Sequence, residues 1–368
     1  MMPWRSVSGP AALARAIGRY PDHLQAFSYL IARNGVGVNQ AAGQTGRISS
    51  IIQGNAITQE LDIDSDSDFW CLSTSMAIQF FTGTPRAGFG ALFAHSTGSW
   101  WAHVDPREES GGSALSDQPI AVGAVFGDGG DRPHVLPCPW ILRSGARIVM
   151  RLVSNSDVGV GTGSTIIYPT LHGFKRMLSG PDLPLDVFLE PRLLDSFRQA
   201  RLDAKLARIE PVFYSMLFNF TPDAFAPPDE ALPMLTLQRT ITAADGDVFL
   251  CNLYGQVFND IGAPGVIGTS VPPVVAGTSP HISDAHLVRL VVDEGLRRID
   301  DRPIPLRSLF GYGARWGKIP KPIHLRAGQT MTATLSPQSR AIGGSGGGSW
   351  RAMLSFSGVK VYPQETRR

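Results

Sequence analysis

Pro137-Cys138-Pro139-Trp140-Ile141-Leu142-Arg143-Ser144-Gly145 is answered 183 residues later by Pro320-Lys321-Pro322-Ile323-His324-Leu325-Arg326-Ala327-Gly328. The pattern P-x-P-x-x-L-R-[S/A]-G therefore occurs twice. Internal repetition decides what counts as one folding unit, so it comes before any motif. Two further anchors lie in the same order. Gln59 and Asp66-Ser67-Asp68-Phe69-Trp70 match Gln238 and Asp245-Gly246-Asp247-Val248-Phe249 at a shift of 179. Leu171-His172-Gly173-Phe174-Lys175 matches Phe356-Ser357-Gly358-Val359-Lys360 at a shift of 185. Collinear anchors with slowly changing shifts describe a duplication with altered loop lengths.

Each copy reads as strands. Arg147-Ile148-Val149-Met150-Arg151-Leu152-Val153 corresponds to Thr330-Met331-Thr332-Ala333-Thr334-Leu335. The second of these alternates threonine with apolar residues, the period of a half-buried strand. Leu-Arg-[Ser/Ala]-Gly before each is a turn whose glycine supplies backbone freedom. Thr165-Ile166-Ile167-Tyr168 and Ala352-Met353-Leu354-Ser355-Phe356 close the copies, each after a Gly-rich loop. These loops lead from strand to strand and lack the helix N-terminus of a phosphate cradle.

The 368 residues suffice for two or three cores. Only 17% are charged, below the roughly 25% of ordinary soluble domains, which implies uncharged polar or mutually buried surfaces. The 40 Gly and 28 Pro, spread along the chain, favour turns and short strands. A net charge of +2 without a basic block gives no electrostatic footprint for direct nucleic-acid binding. Cys71, Cys138 and Cys251 are odd in number and widely spaced, which argues against a disulfide framework or a zinc site. Met1-Met2-Pro3-Trp4-Arg5 lacks the apolar region of a secretory signal, and no run approaches the ~18 apolar residues of a membrane span.

The expected fold is mainly β: two tandem antiparallel β-sandwich or jelly-roll-like domains from an internal duplication, with an N-terminal helical arm and a helical connector. The arm covers residues 1–50, with helical patterning over 10–33 and Asp22 as a cap. The first sandwich covers 51–180, the connector 181–225 and the second sandwich 226–365. In the connector, Pro191 starts an amphipathic helix reaching Glu210, with Leu194, Phe197, Arg201 and Ala204 near one face.

Candidate chemistry is sparse. Asp62, Asp64, Asp66 and Asp68 alternate along the chain and could converge on a hard cation such as Ca²⁺, although the EF-hand pattern is not met. Only Asp66 and Asp68 recur, as Asp245 and Asp247, which favours a turn that starts a strand. Trp100, Trp101 and Trp316 could form an aromatic platform for a glycan, or pack in a core. The eight histidines form no metal or protease pattern, and no nucleophile elbow or Walker loop is present. The cysteines sit among apolar neighbours and read as inert buried thiols. No catalytic residue and no cofactor site is expected, and the chain is expected not to be an enzyme.

The run 135–145, the strand after it, Asn155 with its Gly/Ser loop, and Tyr168-Pro169-Thr170-Leu171-His172-Gly173-Phe174-Lys175 resemble β-sandwich virion proteins of tailed bacteriophages. The resemblance covers about 40 residues in each copy and transfers no catalytic residue. It implies a structural protein of a capsid, neck or tail fibre, made in the host cytoplasm and carried in the virion. Its partners would be other virion proteins and further copies of the chain. The alternative is an adhesin that binds a host receptor or glycan through the exposed aromatics.

Overall fold

The structure is a computed structural model. It describes residues 23–31, 36–38, 47–48, 56–81, 100–107, 115–116, 120–127, 133–154, 164–179, 185–202, 208–220, 237–243, 245–260, 286–292, 297–298, 304–305, 317–337 and 349–362.

The first half contains β1 (Leu24–Leu30), β2 (Val36–Val38), β3 (Arg47–Ile48), β4 (Ala56–Asp62), β5 (Ser67–Phe81), β6 (Trp100–Arg107), β7 (Ile120–Ala121), β8 (His134–Leu142), β9 (Arg147–Ser154) and β10 (Ser164–Met177). A short helix, α1 (Val122–Phe126), follows β7 and is buried along its length. One sheet has the order β1-β10-β5-β8, with β2 and β3 added along β10; the other has the order β4-β9-β6-β7. The second half contains β11 (Arg208–Phe220), β12 (Leu237–Thr242), β13 (Asp247–Asp260), β14 (His286–Val292), β15 (Arg297–Arg298), β16 (Ile304–Pro305), β17 (Gly317–Leu325), β18 (Thr330–Pro337) and β19 (Ser349–Tyr362). Its sheets have the orders β11-β19-β13-β17 and β12-β18-β14-β16, with β15 also on β14.

The two orders are the same. In each half the chain visits the two sheets in one sequence, giving eight strands in two four-stranded sheets, the arrangement of a jelly roll. The mainly β expectation and its antiparallel sheets are what the molecule has. The buried residues of the first half gather around Phe69, Cys71, Trp140, Leu142, Ile148, Met150 and Leu171. Those of the second gather around Val248, Leu250, Leu325, Met331, Ala333, Leu354 and Phe356.

The duplicated motif has a physical explanation. β8 and β17 are edge strands, where proline costs the ladder least. β5 pairs with β8 through Phe69, Trp70 and Cys71 against Leu142, Ile141 and Trp140, and again through Ser73 and Thr74 against Val135 and His134. The unpaired stretch between carries Pro137 and Pro139, which have no N–H to give. β13 and β17 repeat this, with Pro320 and Pro322 in the gap. The turn that follows has Gly145 at φ 73° and Gly328 at φ 82°, a conformation that suits glycine.

A bulge interrupts β5 at Leu72 and β13 at Cys251. Opposite it stand Gly173 and Gly358. A Cβ on Gly173 would lie 1.8 Å from the Trp70 carbonyl oxygen, and one on Gly358 2.4 Å from that of Phe249. The closing L-x-G and F-x-G signatures thus record a close backbone approach, not a binding loop.

The helical expectations need correction. Residues 24–30 form β1, which pairs with β10 from Leu24 with Arg176 to Leu30 with Thr170; the part of the arm before 23 lies outside the described residues. The connector helix, α2 (Pro191–Gln199), ends eleven residues before Glu210, and Arg201 leaves it at φ 59°. Arg208 already belongs to β11, paired with Tyr362. β1 and β11 are the same strand of the repeat. Leu24 faces Arg176 and Ile209 faces Val361, so both partners move by 185 residues, and Tyr29 falls on Tyr214. Long-range pairing with β10 and β19 outweighed local helical preference. The buried face of α2 also differs from the expected one: it carries Leu193, Ser196 and Phe197, with Leu194 partly buried.

Candidate functional surface between the copies

The segment 185–202 covers both copies in turn. Its 3₁₀ turn (Leu185–Phe188) places Phe188 on the outward face of the first copy, with ring centroids 5.4 Å from Trp70 and 5.7 Å from Phe174. Leu189, Leu193 and Phe197 then pack on the outward face of the second copy, with Phe249, Cys251, Val359 and Val361; Cys138 of β8 joins them. Phe197 meets Phe249 edge to face at 4.8 Å. The i, i+4 spacing of Leu193 and Phe197 puts them on one side of α2.

A polar clamp fixes this linker. Glu190 pairs with Arg192 and, at 2.8 Å, with Lys318 of β17. Arg192 also donates to the Ile319 carbonyl and, at 3.2 Å, to Asn252 Oδ1. Asn252 Nδ2 in turn donates to Ser357 Oγ at 3.0 Å. Burial pushes the Glu190 carboxyl up, but its hydrogen bonds from Lys318 and Arg192 outweigh this and hold it below its ordinary range.

The rest of the contact joins the far end of the second copy's outward face to the side of the first copy. Phe213 N–H donates to the Leu115 carbonyl at 2.8 Å, and Ser116 bridges to Phe213. Phe213 and Tyr254 belong to the first copy's hydrophobic cluster and are buried. The His134 ring lies 5.7 Å from that of Phe213. Burial drives the His134 imidazole down to about 3, so it is neutral in this setting.

The four alternating aspartates go to different partners. Asp62 pairs with Arg147 at 2.7 Å, at the surface. Asp64 pairs with Lys175 and accepts from the Tyr29 hydroxyl at 2.9 Å. Those hydrogen bonds, Lys175 first, hold the Asp64 carboxyl below its ordinary range. Asp66 accepts from Ser67 Oγ at 2.9 Å. Asp68 is buried; it accepts Ser144 N–H at 3.0 Å and meets Arg143 at 3.1 Å and Arg176 at 3.3 Å. Asp247 repeats the Asp68 contact, accepting Ala327 N–H at 3.1 Å. The shared aspartate therefore caps the Leu-Arg-[Ser/Ala]-Gly turn in both copies. Among the described residues, no group of three or more His, Cys, Asp or Glu is placed to hold a metal ion.

Trp100 and Trp101 are the first two residues of β6, paired with Ser154 and Val153 of β9. Trp316 lies outside the described residues, as do both Gly-rich loops. All three cysteines are free and buried, and burial raises the Cys71 and Cys251 thiols to about 12.

One cluster was not singled out by the sequence. His172 Nδ1 lies 2.9 Å from Ser28 Oγ and His172 Nε2 lies 2.6 Å from Ser75 Oγ. The three residues come from β10, β1 and β5 and are half-buried. Of their counterparts in the second copy, Phe213 and Tyr254 are buried in the contact with the first copy, and Ser357 is buried against Asn252. No local signal could have found the match: the upstream anchors run at shifts of 179 and 183, and only the pairing of β1 with β10 and of β11 with β19 aligns Ser28 with Phe213.

No protein-family model matches the chain. It is 26% identical to Contactin rig-6 of Caenorhabditis elegans over 237 residues, 53% of this chain but only 20% of that protein. Among solved structures, PNGase F, a glycosylasparaginase from Flavobacterium meningosepticum, is matched over 91% of this chain and 96% of that one, at 11% identity and a TM-score of 0.32. The structure of Sulfolobus turreted icosahedral virus is matched over 91% and 90%, at 10% identity and a TM-score of 0.35. PBCV-1 VP54 is matched over 93% and 95%, at 9% identity and a TM-score of 0.32. The matched structures thus include viral capsid proteins. They also include a glycosylasparaginase, which overturns the expectation that the chain is not an enzyme; at that TM-score it assigns the chain no reaction.

Proposed function

We propose that this chain is a structural protein of a virus particle, that of a bacteriophage in the reading its sequence resemblance supports, and that it acts by assembling with copies of itself and with other virion proteins. The observation that carries the reading is the tandem jelly roll. Eight-stranded jelly rolls recur in viral capsid domains. Here two of them are fused and clamped by one linker into a single block, with buried aromatics across the join. Such a block keeps its shape while its outer faces meet neighbours. The low charge, 17% of residues, also fits surfaces that become buried between subunits.

The test is particle composition. Particles purified from producing cells and analysed by quantitative mass spectrometry should contain the chain as an abundant, stoichiometric component. Its absence from particles, with the protein present in the producing cells, overturns the proposal. Trp100→Ala/Trp101→Ala particles report on the glycan alternative: host attachment lost with assembly intact would move the chain to the adhesin class.

A further inference from the structure

On the outward face of copy 1, His172 of β10 reaches straight across to Ser28 of β1 and diagonally to Ser75 of β5. Nδ1 lies 2.9 Å from Ser28 Oγ and Nε2 lies 2.6 Å from Ser75 Oγ. The two lengths fit one tautomer, because a hydroxyl donor makes the shorter bond and a ring N–H the longer one. Nδ1–H then donates to Ser28, and the Ser75 hydroxyl donates to the lone pair of Nε2. All three residues are half-buried, while Ala26, Leu30 and Ala77 around them are exposed, so solvent reaches the edge of the group. The trio is not required by the scaffold. Copy 2 builds the same strands with Phe213, Ser357 and Tyr254 at these positions.

We propose that Ser75 is a nucleophile toward acyl groups, with His172 as its general base and Ser28 as the residue that positions the ring, and that its substrates are small uncharged esters with a weakly basic leaving group. A hydroxyl hydrogen-bonded to a neutral imidazole, itself oriented by a third group, is the arrangement that activates a serine. Ser28 stands where a carboxylate would otherwise hold the imidazolium, and being neutral it stabilises that charge less. The site is therefore suited to phenyl-type esters, whose leaving oxygen needs little help, and not to amides. Ala26, Leu30 and Ala77 form an apolar rim without charge, which fits a small uncharged acyl group. This activity is separate from the assembly reading, and either can fail without the other.

In the first step Ser75 Oγ bonds to the acyl carbon and its proton passes to His172 Nε2. The tetrahedral adduct then collapses: the bond from the acyl carbon to the leaving oxygen breaks, and that oxygen departs with the electron pair and takes the proton from Nε2. Water, deprotonated by Nε2 in its turn, attacks the acyl-serine and frees the acid, which restores the Ser75 hydroxyl. The base must be neutral to begin. Burial holds the His172 imidazole below its ordinary range. Around it, Ala26 and Leu30 on β1, Ser73 and Ala77 on β5, and Thr170 and Phe174 on β10 carry no charge, and Tyr168 follows beyond Thr170. Lys175 is paired with Asp64, and Asp68 meets Arg176 at 3.3 Å beyond Phe174. Acylation should thus rise with pH and level off below about 6.5, whereas the acylation of surface lysines climbs toward about 10.4.

The purified full chain with para-nitrophenyl acetate tests this. Nitrophenolate release should show a burst, and peptide mass spectrometry should find one acetyl group on Ser75. Ser75→Ala should abolish both, and Ser75→Cys should restore acylation. His172→Gln, and His172→Ser with the residue that copy 2 has there, should each slow acylation at least ~100-fold, with the melting midpoint showing that the chain is folded. Ser28→Ala should slow it at least ~10-fold and Ser28→Thr should recover it. Acetylation that spares Ser75, or a burst unchanged in Ser75→Ala, overturns the nucleophile. A folded His172 variant that reacts as fast as the native chain, or a rate that keeps climbing with pH as lysines do, overturns the base. An Ser28→Ala chain with native rate and pH profile overturns the positioning role.

Discussion

The two jelly rolls place the same backbone under different side chains. At one strand-level address copy 1 has Ser28, His172 and Ser75, and copy 2 has Phe213, Ser357 and Tyr254. The backbone hydrogen bonds, the bulge and the capped turn are unchanged between them. The difference teaches that the scaffold does not specify what its outward face meets. In copy 2 the aromatic face has been given to the other copy and to α2. In copy 1, among the described residues, Phe188 covers the Trp70 end.

The comparison can be broken where the copies agree. Gly173→Ala drives a methyl group into the Trp70 carbonyl and should cost about 4 kcal/mol or prevent folding; Gly358→Ala should cost somewhat less, about 3 kcal/mol, since its clash is longer. Urea denaturation of the two variants measures this. Tolerance of both substitutions would show that the close backbone approach is not what these glycines serve.

It is sharpened where they differ. Phe213→Ala should lose about 3.5 kcal/mol of stability, because the ring is fully buried between the copies. Ser28→Ala, at the same place in copy 1, should stay within about 1 kcal/mol. Similar losses from the two would remove the asymmetry.

His134 gives the contact a pH dependence. Its folded imidazole is held near 3, whereas the unfolded one takes up a proton near 6.5. Above that pH both states are neutral and the residue contributes no slope. As pH falls from about 6.5 toward 3 the unfolded state gains the proton first, so stability falls, by roughly 3 kcal/mol at pH 4. The wild-type curve should therefore drop faster than that of His134→Gln over this window. Parallel curves would mean that the ring is not held neutral.

The smallest effect belongs to the aspartate run. Asp62→Asn removes an exposed pair with Arg147 and should change stability by less than about 0.5 kcal/mol. Added Ca²⁺ should leave the melting midpoint in place. A clear rise that Asp64→Asn abolishes would show that these carboxylates can be gathered on a cation.

Some of this was readable in the chain. The repeated P-x-P-x-x-L-R-x-G marks an edge strand that skips part of its ladder and then turns at a glycine. Each of those features is local, so each leaves a local signature. Gly173 and Gly358 were visible as matched positions, though not their reason, which is a carbonyl about a hundred residues away. The first strand of each copy was hidden. β1 follows helical signals at Pro10 and Asp22, and the start of β11 reads as the tail of α2. Their identity as strands comes from β10 and β19, more than a hundred residues on, and Tyr29 with Tyr214 is the main trace left in the sequence.

The sequence by itself determined that the fold is doubled, that it is built from strands and turns, and where each copy closes, because these follow from residue type and short-range spacing. Only the tertiary structure decided which face of each copy is covered. Burial there depends on what the linker and the other copy bring to it, and no local pattern distinguishes a serine or histidine that will be covered from one left open.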